Sequence, residues 1–348
     1  MESETSLDPI RICIFKKREG QMKLASMRGG RDGALIIVSD DLSRAALAEG
    51  IVPTLQAALD NWDTIEPKLR RVADSLEAGH LKGSFDLDDF SMLTAPLPRC
   101  FNWSDGSVYL NHMELVRRAR GAEMPASFLE EPLIYQGGSD DFMGCRDPID
   151  LPDDDWGIDF EAEVAVILDD VPMGVAEEDA GKHIKLVTIV NDVSLRNIIP
   201  GELAKGFGFY QGKPASAFAP VVVVPDALGV AWDGAKLIGP MVCEINGSEY
   251  GRPDAGVDMN FEFPRLISHA ARTRRLSAGT IIGSGTVSNR DRETGSSCIA
   301  EARMIEIIEE GAPRTPFLKF DDKVRIAFHT REGAMPFGDI EQCVIRAQ

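Results

Sequence analysis

Residues 158–168 read Ile-Asp-Phe-Glu-Ala-Glu-Val-Ala-Val-Ile-Leu (IDFEAEVAVIL), and they alternate as a β-strand does. Residues two apart on a strand share a face. Asp159, Glu161 and Glu163 therefore point one way, and Ile158, Phe160, Ala162 and Val164 the other. The carboxylates of Glu161 and Glu163 lie side by side and repel each other. Either water solvates them or a cation sits between them, and the strand alone leaves both readings open.

Outward from this strand the pattern stays β-rich. LVTIVND (186–192) is a second apolar strand that ends on Asp192, where rigid backbone can hold a side chain in a site. MVCEINGSEYG (241–251) places Asn246-Gly247 between two strand-like arms, a hairpin signal. TIIGSGTVS (280–288), ARMIEII (302–308) and DKVRIAF (322–328) read as further strands. LNHMELVRRARG (110–121) has helical spacing and closes on Gly121. Strands do not alternate with helices here, so the pattern predicts a mixed, β-rich α+β fold and not a doubly wound sheet. Before it, ALIIVS (34–39) reads as a strand, TLQAALDNW as helical, and PKLRRVADSLEAG (67–79) as a second helix capped by Gly79. Residues 80–100 turn irregular around Pro96 and Pro98. We place a boundary there, between a small N-terminal domain (22–95) and a catalytic domain (96–348). Residues 1–21 read as an extension, with RICIF as a candidate short strand.

Composition narrows the function classes. The chain has 348 residues, 44% hydrophobic and 27% charged, enough for a large core in more than one domain. A net charge of −19 repels a polyanion, so no nucleic-acid partner is expected. No stretch reaches the roughly 18 uncharged apolar residues of a membrane helix, and the N-terminus lacks the apolar core of a signal peptide. The six cysteines are scattered without a CxxC pair, which reads as reduced thiols in a cytoplasmic protein. The five histidines show neither HxxxH nor HExxH spacing, so a zinc site is not expected.

Other residues become candidates by position. Arg196 follows Asp192 by four residues, as though matched to a nearby anion. Lys213 lies in a glycine-containing loop, FYQGKPASAF. Asp105 sits in an SDGS turn, and His112 lies on the helix that follows. Taken singly, each of these reads equally as surface, turn or packing residue. GSGT (283–286) lacks the GxxxxGK[ST] pattern of a phosphate loop and reads as a tight strand turn.

Together they form an ordered set. SDGSVYLNH (104–112), IDFEAE, VNDVSLR (190–196), QGKPASAFAP (211–220) and GSGTVSN (283–289) occur in the order found in the fumarylacetoacetate hydrolase family, which this chain resembles from about Phe101 to about Phe328. MKLASMRGGRDG (22–33) resembles the start of bacterial members with a small N-terminal domain. The resemblance implies a small β-rich domain followed by a fumarylacetoacetase-like mixed β-sandwich roll that pairs as a homodimer. It implies Asp105, Glu161, Glu163 and Asp192 as metal ligands, His112 as catalytic base, Glu301 as the residue that orients it, and Lys213 as support for developing negative charge. Arg196, Tyr135 and Thr286 match substrate-contacting positions. Where members that cleave fumarylacetoacetate carry a glutamine after the arginine, this chain has Ile199. Leu203 is nearest to the position of an expected tyrosine. The distal substrate group is therefore unassigned.

An all-oxygen ligand set selects a hard cation, Mg²⁺ or Ca²⁺, with Mn²⁺ also admitted. The expected activity is hydrolysis of a C–C bond in a 2,4-dioxo acid, as in aromatic amino acid catabolism. Such weak Lewis acids need a separate base, and an imidazole with a reference pKa of about 6.5 suits the task. Acylpyruvate hydrolysis, oxaloacetate decarboxylation and hydration or hydrolysis of sugar acids are the alternatives within the family. A non-catalytic binding protein that has kept only the fold is the alternative outside it.

Overall fold

The computed structural model describes residues 21–119, 121, 123–139 and 141–347. The expected N-terminal extension, with its RICIF segment, lies outside the described residues except for Gln21. Three antiparallel strands come first among the described residues: β1 (Lys23–Met27), β2 (Ala34–Val38) and β3 (Arg44–Leu47). Two helices follow, α1 (Leu55–Leu59) and α2 (Trp62–Glu77), before β4 (Phe85–Asp86) returns to pair with β3. Thr54 caps α1 by accepting the Ala57 N–H at 3.2 Å. Gly79 ends α2 in the left-handed region, and the N–H groups of Gly79 and His80 close onto the carbonyls of Leu76 and Ser75.

The second part begins with β5 (Trp103–Gly106), α3 (Leu110–Ala119), β6 (Ile134–Gly137), β7 (Ile149–Leu151), β8 (Ile158–Asp159) and β9 (Ala162–Leu168). Next come α4 (Glu177–Ala180), β10 (Ile184–Asn191), β11 (Ser194–Leu195), α5 (Ile199–Leu203), β12 (Ala217–Phe218) and β13 (Val222–Val223). The hairpin β14 (Met241–Ile245)–β15 (Ser248–Gly251) turns on Asn246 and Gly247, both at positive φ. After it lie α6 (Phe263–Ala270), β16 (Ile281–Gly283), α7 (Ile299–Glu310), β17 (Lys323–Phe328) and β18 (Asp339–Arg346).

An eleven-stranded sheet runs β4-β3-β2-β1-β13-β10-β9-β16-β5-β6, with β12 also on β10. A five-stranded sheet runs β15-β14-β17-β18-β7, and β11 pairs with β8. The large sheet separates two apolar cores. Val164, Val166 and Leu168 of β9 share one with Ile326 and Phe328 of the smaller sheet. Ala165 and Ile167 share the other with Leu55, Leu59, Leu69 and Leu76 of α1 and α2. Both faces of β9 are covered, which is why VAVIL is apolar without interruption. Among the described residues, no helix is long and apolar enough to cross a membrane.

The structure corrects three local expectations. ARMIEII is not a strand but the body of α7, opened by Cys298 as cap and closed by Gly311 at positive φ. Its isoleucines suggested a strand, yet the run IAEARMIEIIEEG is rich in helix formers and packs against α3. The strand read over IDFEAEVAVIL breaks at Phe160 and Glu161 into β8 and β9. Helix α2 begins five residues earlier than read and runs through Pro67. Its buried stripe of Trp62, Ile65, Leu69, Ala73 and Leu76 offsets the one backbone bond the proline removes.

Register brings the acidic residues together. Val190 of β10 pairs with Glu163, so Asp192, two residues on, follows on the same face. Gly283 of β16 lies between Ala165 of β9 and Asp105 of β5. A Cβ at Gly283 would lie 2.3 Å from Asp105 Oδ1, so only glycine leaves room for that carboxylate. Beneath it, Trp103, Phe142 and Phe218 pack edge to face with centroids 4.9–6.5 Å apart. We expect Phe218→Ala to cost about 3–5 kcal/mol of folding stability, read as a lower urea midpoint at unchanged slope. An unchanged midpoint would contradict this packing account.

Candidate active site

Asp105, Glu163 and Asp192 are all buried, and one carboxylate oxygen from each lies within 4.8 Å of the others. Asp105 lies on β5, and its Oδ1 accepts the Gly285 N–H at 3.0 Å. Asp192 follows β10; its Oδ1 accepts from the Ser216 hydroxyl at 2.7 Å and its Oδ2 from Lys213 Nζ at 2.6 Å. The Tyr135 hydroxyl also donates to Asp192 Oδ2. Neither oxygen of Glu163 has a hydrogen-bond partner among the described residues, although both are buried.

Electrostatics follow from this crowding. Burial, with the Asp192 charge adding to it, pushes Asp105 up to about 8. Burial and the Asp105 and Asp192 charges drive Glu163 well above the ordinary carboxylate value. Burial also pushes on Tyr135, reinforced by Asp192, and keeps its phenol protonated as a donor. Three carboxylates packed this closely call for positive charge among them. An all-oxygen set with two unpartnered buried oxygens on Glu163 fits a hard divalent cation.

Glu161 sits beside this trio with partners of its own. Its Oε1 takes Arg196 Nη2 at 2.5 Å and its Oε2 takes Lys213 Nζ at 2.6 Å. Burial would raise its pKa, but Arg196 and Lys213 outweigh that and hold the carboxyl below its usual range. Burial disfavours the Lys213 charge, yet Asp192 and Glu161 hold its pKa above the ordinary value. The Lys213 ammonium also stands 5.3 Å from the Tyr135 ring centroid and 5.9 Å from that of Phe209.

His112 lies on α3 and Glu301 in the first turn of α7. His112 Nδ1 is 3.1 Å from Glu301 Oε2, and the carboxylate is 1% exposed where the imidazole side chain is 15% exposed. Glu301 Oε1 is buried with no hydrogen-bond partner among the described residues. A carboxylate on Nδ1 leaves Nε2 as the lone-pair nitrogen, the arrangement of a His–carboxylate base. Charge on His112 also favours ionised Glu161.

The remaining candidates are placed as follows. Tyr135 is paired with Asp105 across β5 and β6. Thr286 is buried in the turn after Gly285, which adopts positive φ. Arg196 is held by Asp159 and Glu161. In the RRARG run, Arg117 stacks on Phe128 at 4.5 Å, and Arg120 lies outside the described residues. Ile199 is buried at the start of α5 and Leu203 is exposed. Sequence reasoning missed Ser216 and Phe209, and gave Asp159 a face but no role. Ser216 and Phe209 lie within four residues of Lys213, and that proximity was the only signal.

Comparison with known proteins places these observations. The family model described as "Fumarylacetoacetate (FAA) hydrolase C-terminal" matches residues 103–345, and "Fumarylacetoacetase N-terminal domain 2" matches residues 22–99. The chain is 28% identical over 158 residues to the "Oxaloacetate tautomerase fahd2, mitochondrial" of Xenopus laevis, covering 45% of this chain and 48% of that protein. It is 27% identical over 203 residues to the "Oxaloacetate tautomerase YisK" of Bacillus subtilis, covering 56% and 62%. The match thus spans less than two thirds of either relative. Among solved structures, a fumarylacetoacetate hydrolase from Exiguobacterium antarcticum superposes with a TM-score of 0.65 at 17% identity, over 94% of this chain and 100% of that one. Maleylpyruvate hydrolase from Sphingobium sp. SYK-6, in complex with manganese(II) ion and pyruvate, gives a TM-score of 0.62 at 17% identity, over 94% and 100%. These structural likenesses bear on the fold. Since the C-terminal family model covers most of the sequence, and every residue of the acidic cluster falls inside it, the chain belongs to the fumarylacetoacetate hydrolase family.

Proposed function

We propose that this protein is a metal-dependent hydrolase that cleaves a C–C bond in a 2,4-dioxo acid, with His112 activating water. The observation that carries the reading is the buried Asp105–Glu163–Asp192 cluster together with a His112–Glu301 pair whose charge acts on the neighbouring Glu161. Asp105, Glu163 and Asp192 hold the cation, with Glu161 as a fourth candidate ligand. Mg²⁺, Ca²⁺ and Mn²⁺ all suit the oxygen donors. When bound, the cation supplies Lewis acidity to the substrate carbonyl and to the enolate that leaves.

The chain's own groups do the rest. Glu301 holds the proton on His112 Nδ1, so Nε2 takes a proton from water as its oxygen adds to the carbonyl carbon. The C–C bond then breaks, and its electron pair goes to the carbon of the departing fragment. His112 returns its proton to that carbon, giving an acid and a 2-oxo acid. Lys213 offsets the excess negative charge and supports the oxyanion. Tyr135, Thr286 and Arg196 are the substrate-side candidates, and Tyr135 additionally fixes Asp192.

A second reading is supported by the names of the two sequence relatives described above, both oxaloacetate tautomerases. Keto–enol exchange also needs a base that moves a proton, but it needs no water and breaks no C–C bond. Assays on an acylpyruvate and on oxaloacetate separate the two. Release of pyruvate from the acylpyruvate supports hydrolysis. Enol–keto exchange of oxaloacetate without cleavage of either compound would replace it with the second reading.

We expect His112→Ala to lower kcat by about 10²–10⁴-fold, with Mn²⁺ affinity by calorimetry unchanged. Wild-type turnover in this variant would remove the base. Decarboxylation of oxaloacetate that persists in it would favour a decarboxylase instead.

Protons and the cation compete for the same oxygens. Asp105, raised to about 8, carries a proton at neutral pH in the cation-free protein. Mn²⁺ affinity should therefore tighten as pH rises through neutrality toward 8. The stability linkage has the matching sign. A carboxyl with a raised folded pKa binds more protons folded than unfolded, so cation-free stability falls as pH rises from the ordinary carboxylate range to about 8. EDTA should lower Tm more at pH 8 than at pH 5. Equal shifts at both pH values would contradict the cluster as the binding site.

A further inference from the structure

The two halves of the site are joined by a residue with no role in the chemistry proposed above. Asp159 is fully buried at the end of β8. Its Oδ1 accepts the Ile299 N–H at 2.7 Å, and its Oδ2 accepts the Ala300 N–H at 2.9 Å. Those are the first two N–H groups of α7, which have no partner within the helix. Asp159 Oδ2 also receives Arg196 Nε at 2.8 Å, and Arg196 Nη2 reaches Glu161 Oε1 at 2.5 Å. The residue after Ala300 is Glu301, which touches His112.

A continuous path results, from Glu161 through Arg196 and Asp159 to the start of α7, and on through Glu301 to His112. Apart from the step along the α7 backbone to Glu301, each link is a hydrogen bond that involves a charged group, the stronger kind. Most are removed from water, where competing partners are few. The usual cap position of α7 is held by Cys298, whose Sγ accepts the Glu301 N–H at 3.4 Å. A thiol is a weak acceptor, so it does not by itself fix the first turn. Asp159 supplies the strong acceptor from outside the helix, and it is tied to the acidic cluster at the same time.

We infer that Asp159 is a positioning residue: it sets the first turn of α7, and so the Glu301 carboxylate, in register with the acidic cluster, thereby fixing the tautomer of His112. The inference builds on His112 and Glu301 as the base pair, but its readout does not need turnover. An aspartate at this place could equally serve stability alone, and the experiment separates the two.

The test is ¹⁵N NMR of the imidazoles in the full-length protein. There are five histidines, and His112→Ala assigns the signal of interest. In the wild type, His112 should show one tautomer, protonated at Nδ1. Asp159→Asn keeps the shape and removes the charge. It should give His112 a mixed-tautomer pattern resembling that of Glu301→Gln, while His183 and His269 stay unchanged. Where hydrolysis is measurable, kcat should fall by roughly 10–100-fold with little change in KM. A folded Asp159→Asn protein with a wild-type His112 spectrum would overturn the inference, whatever its activity. If Asp159→Asn does not fold, Asp159→Ser, which retains one acceptor, is read in the same way. Failure of both to fold would make Asp159 a stability residue and overturn the inference equally. Failure of the functional reading would appear separately, as a wild type that fixes the His112 tautomer but hydrolyses no dioxo acid.

Discussion

Mutual repulsion among Asp105, Glu163 and Asp192 is the constraint around which this structure is organised. Three carboxylates with oxygens within 4.8 Å of one another, all removed from water, cannot all be charged without positive charge close by. The fold brings them together through strand register: Glu163 on β9, Asp192 beyond the end of β10, and Asp105 on β5 across Gly283. Covered faces on both sides of the sheet keep water out. The arrangement costs stability where it stands, and the large apolar cores on either side of β9 offset that cost.

Fixed cations relieve part of the repulsion. Lys213 bridges Glu161 and Asp192, and Arg196 bridges Glu161 and Asp159. Neither cation pairs with Glu163, whose two buried oxygens have no hydrogen-bond partner among the described residues. The unmet demand thus concentrates at one end of the cluster, where a mobile divalent ion has most to offer. The imidazole of His112 stands outside this set and is served by its own carboxylate, which lets one site hold a cation and a base without the two competing for the same oxygens.

Much of this was legible in the chain. The apolar strand leading into Asp192 and the Asn246-Gly247 hairpin follow from local rules, and the structure shows both, whereas the ExE segment breaks at Phe160 and Glu161 and leaves only Glu163 on β9. Legibility failed where tertiary contacts override a local pattern. ARMIEII reads as a strand by its β-branched residues but is a helix, because its ends are capped and it packs on α3. Strand parity put Glu161 and Glu163 on one face without revealing that Glu161 faces Arg196 and Lys213 while Glu163 pairs with no cation among the described residues. Asp159 lay in the same motif, but its attachment to α7 spans 140 residues of sequence and no spacing rule reaches that far.

The account stands on a divalent ion held jointly by three particular side chains. Anomalous diffraction from crystals grown with Mn²⁺ tests this most directly. The account predicts one dominant peak in each chain, bounded by oxygens of Asp105, Glu163 and Asp192 and within reach of a water facing His112. A map in which those three carboxylates remain together with no peak between them, or in which the manganese sits elsewhere, would contradict it.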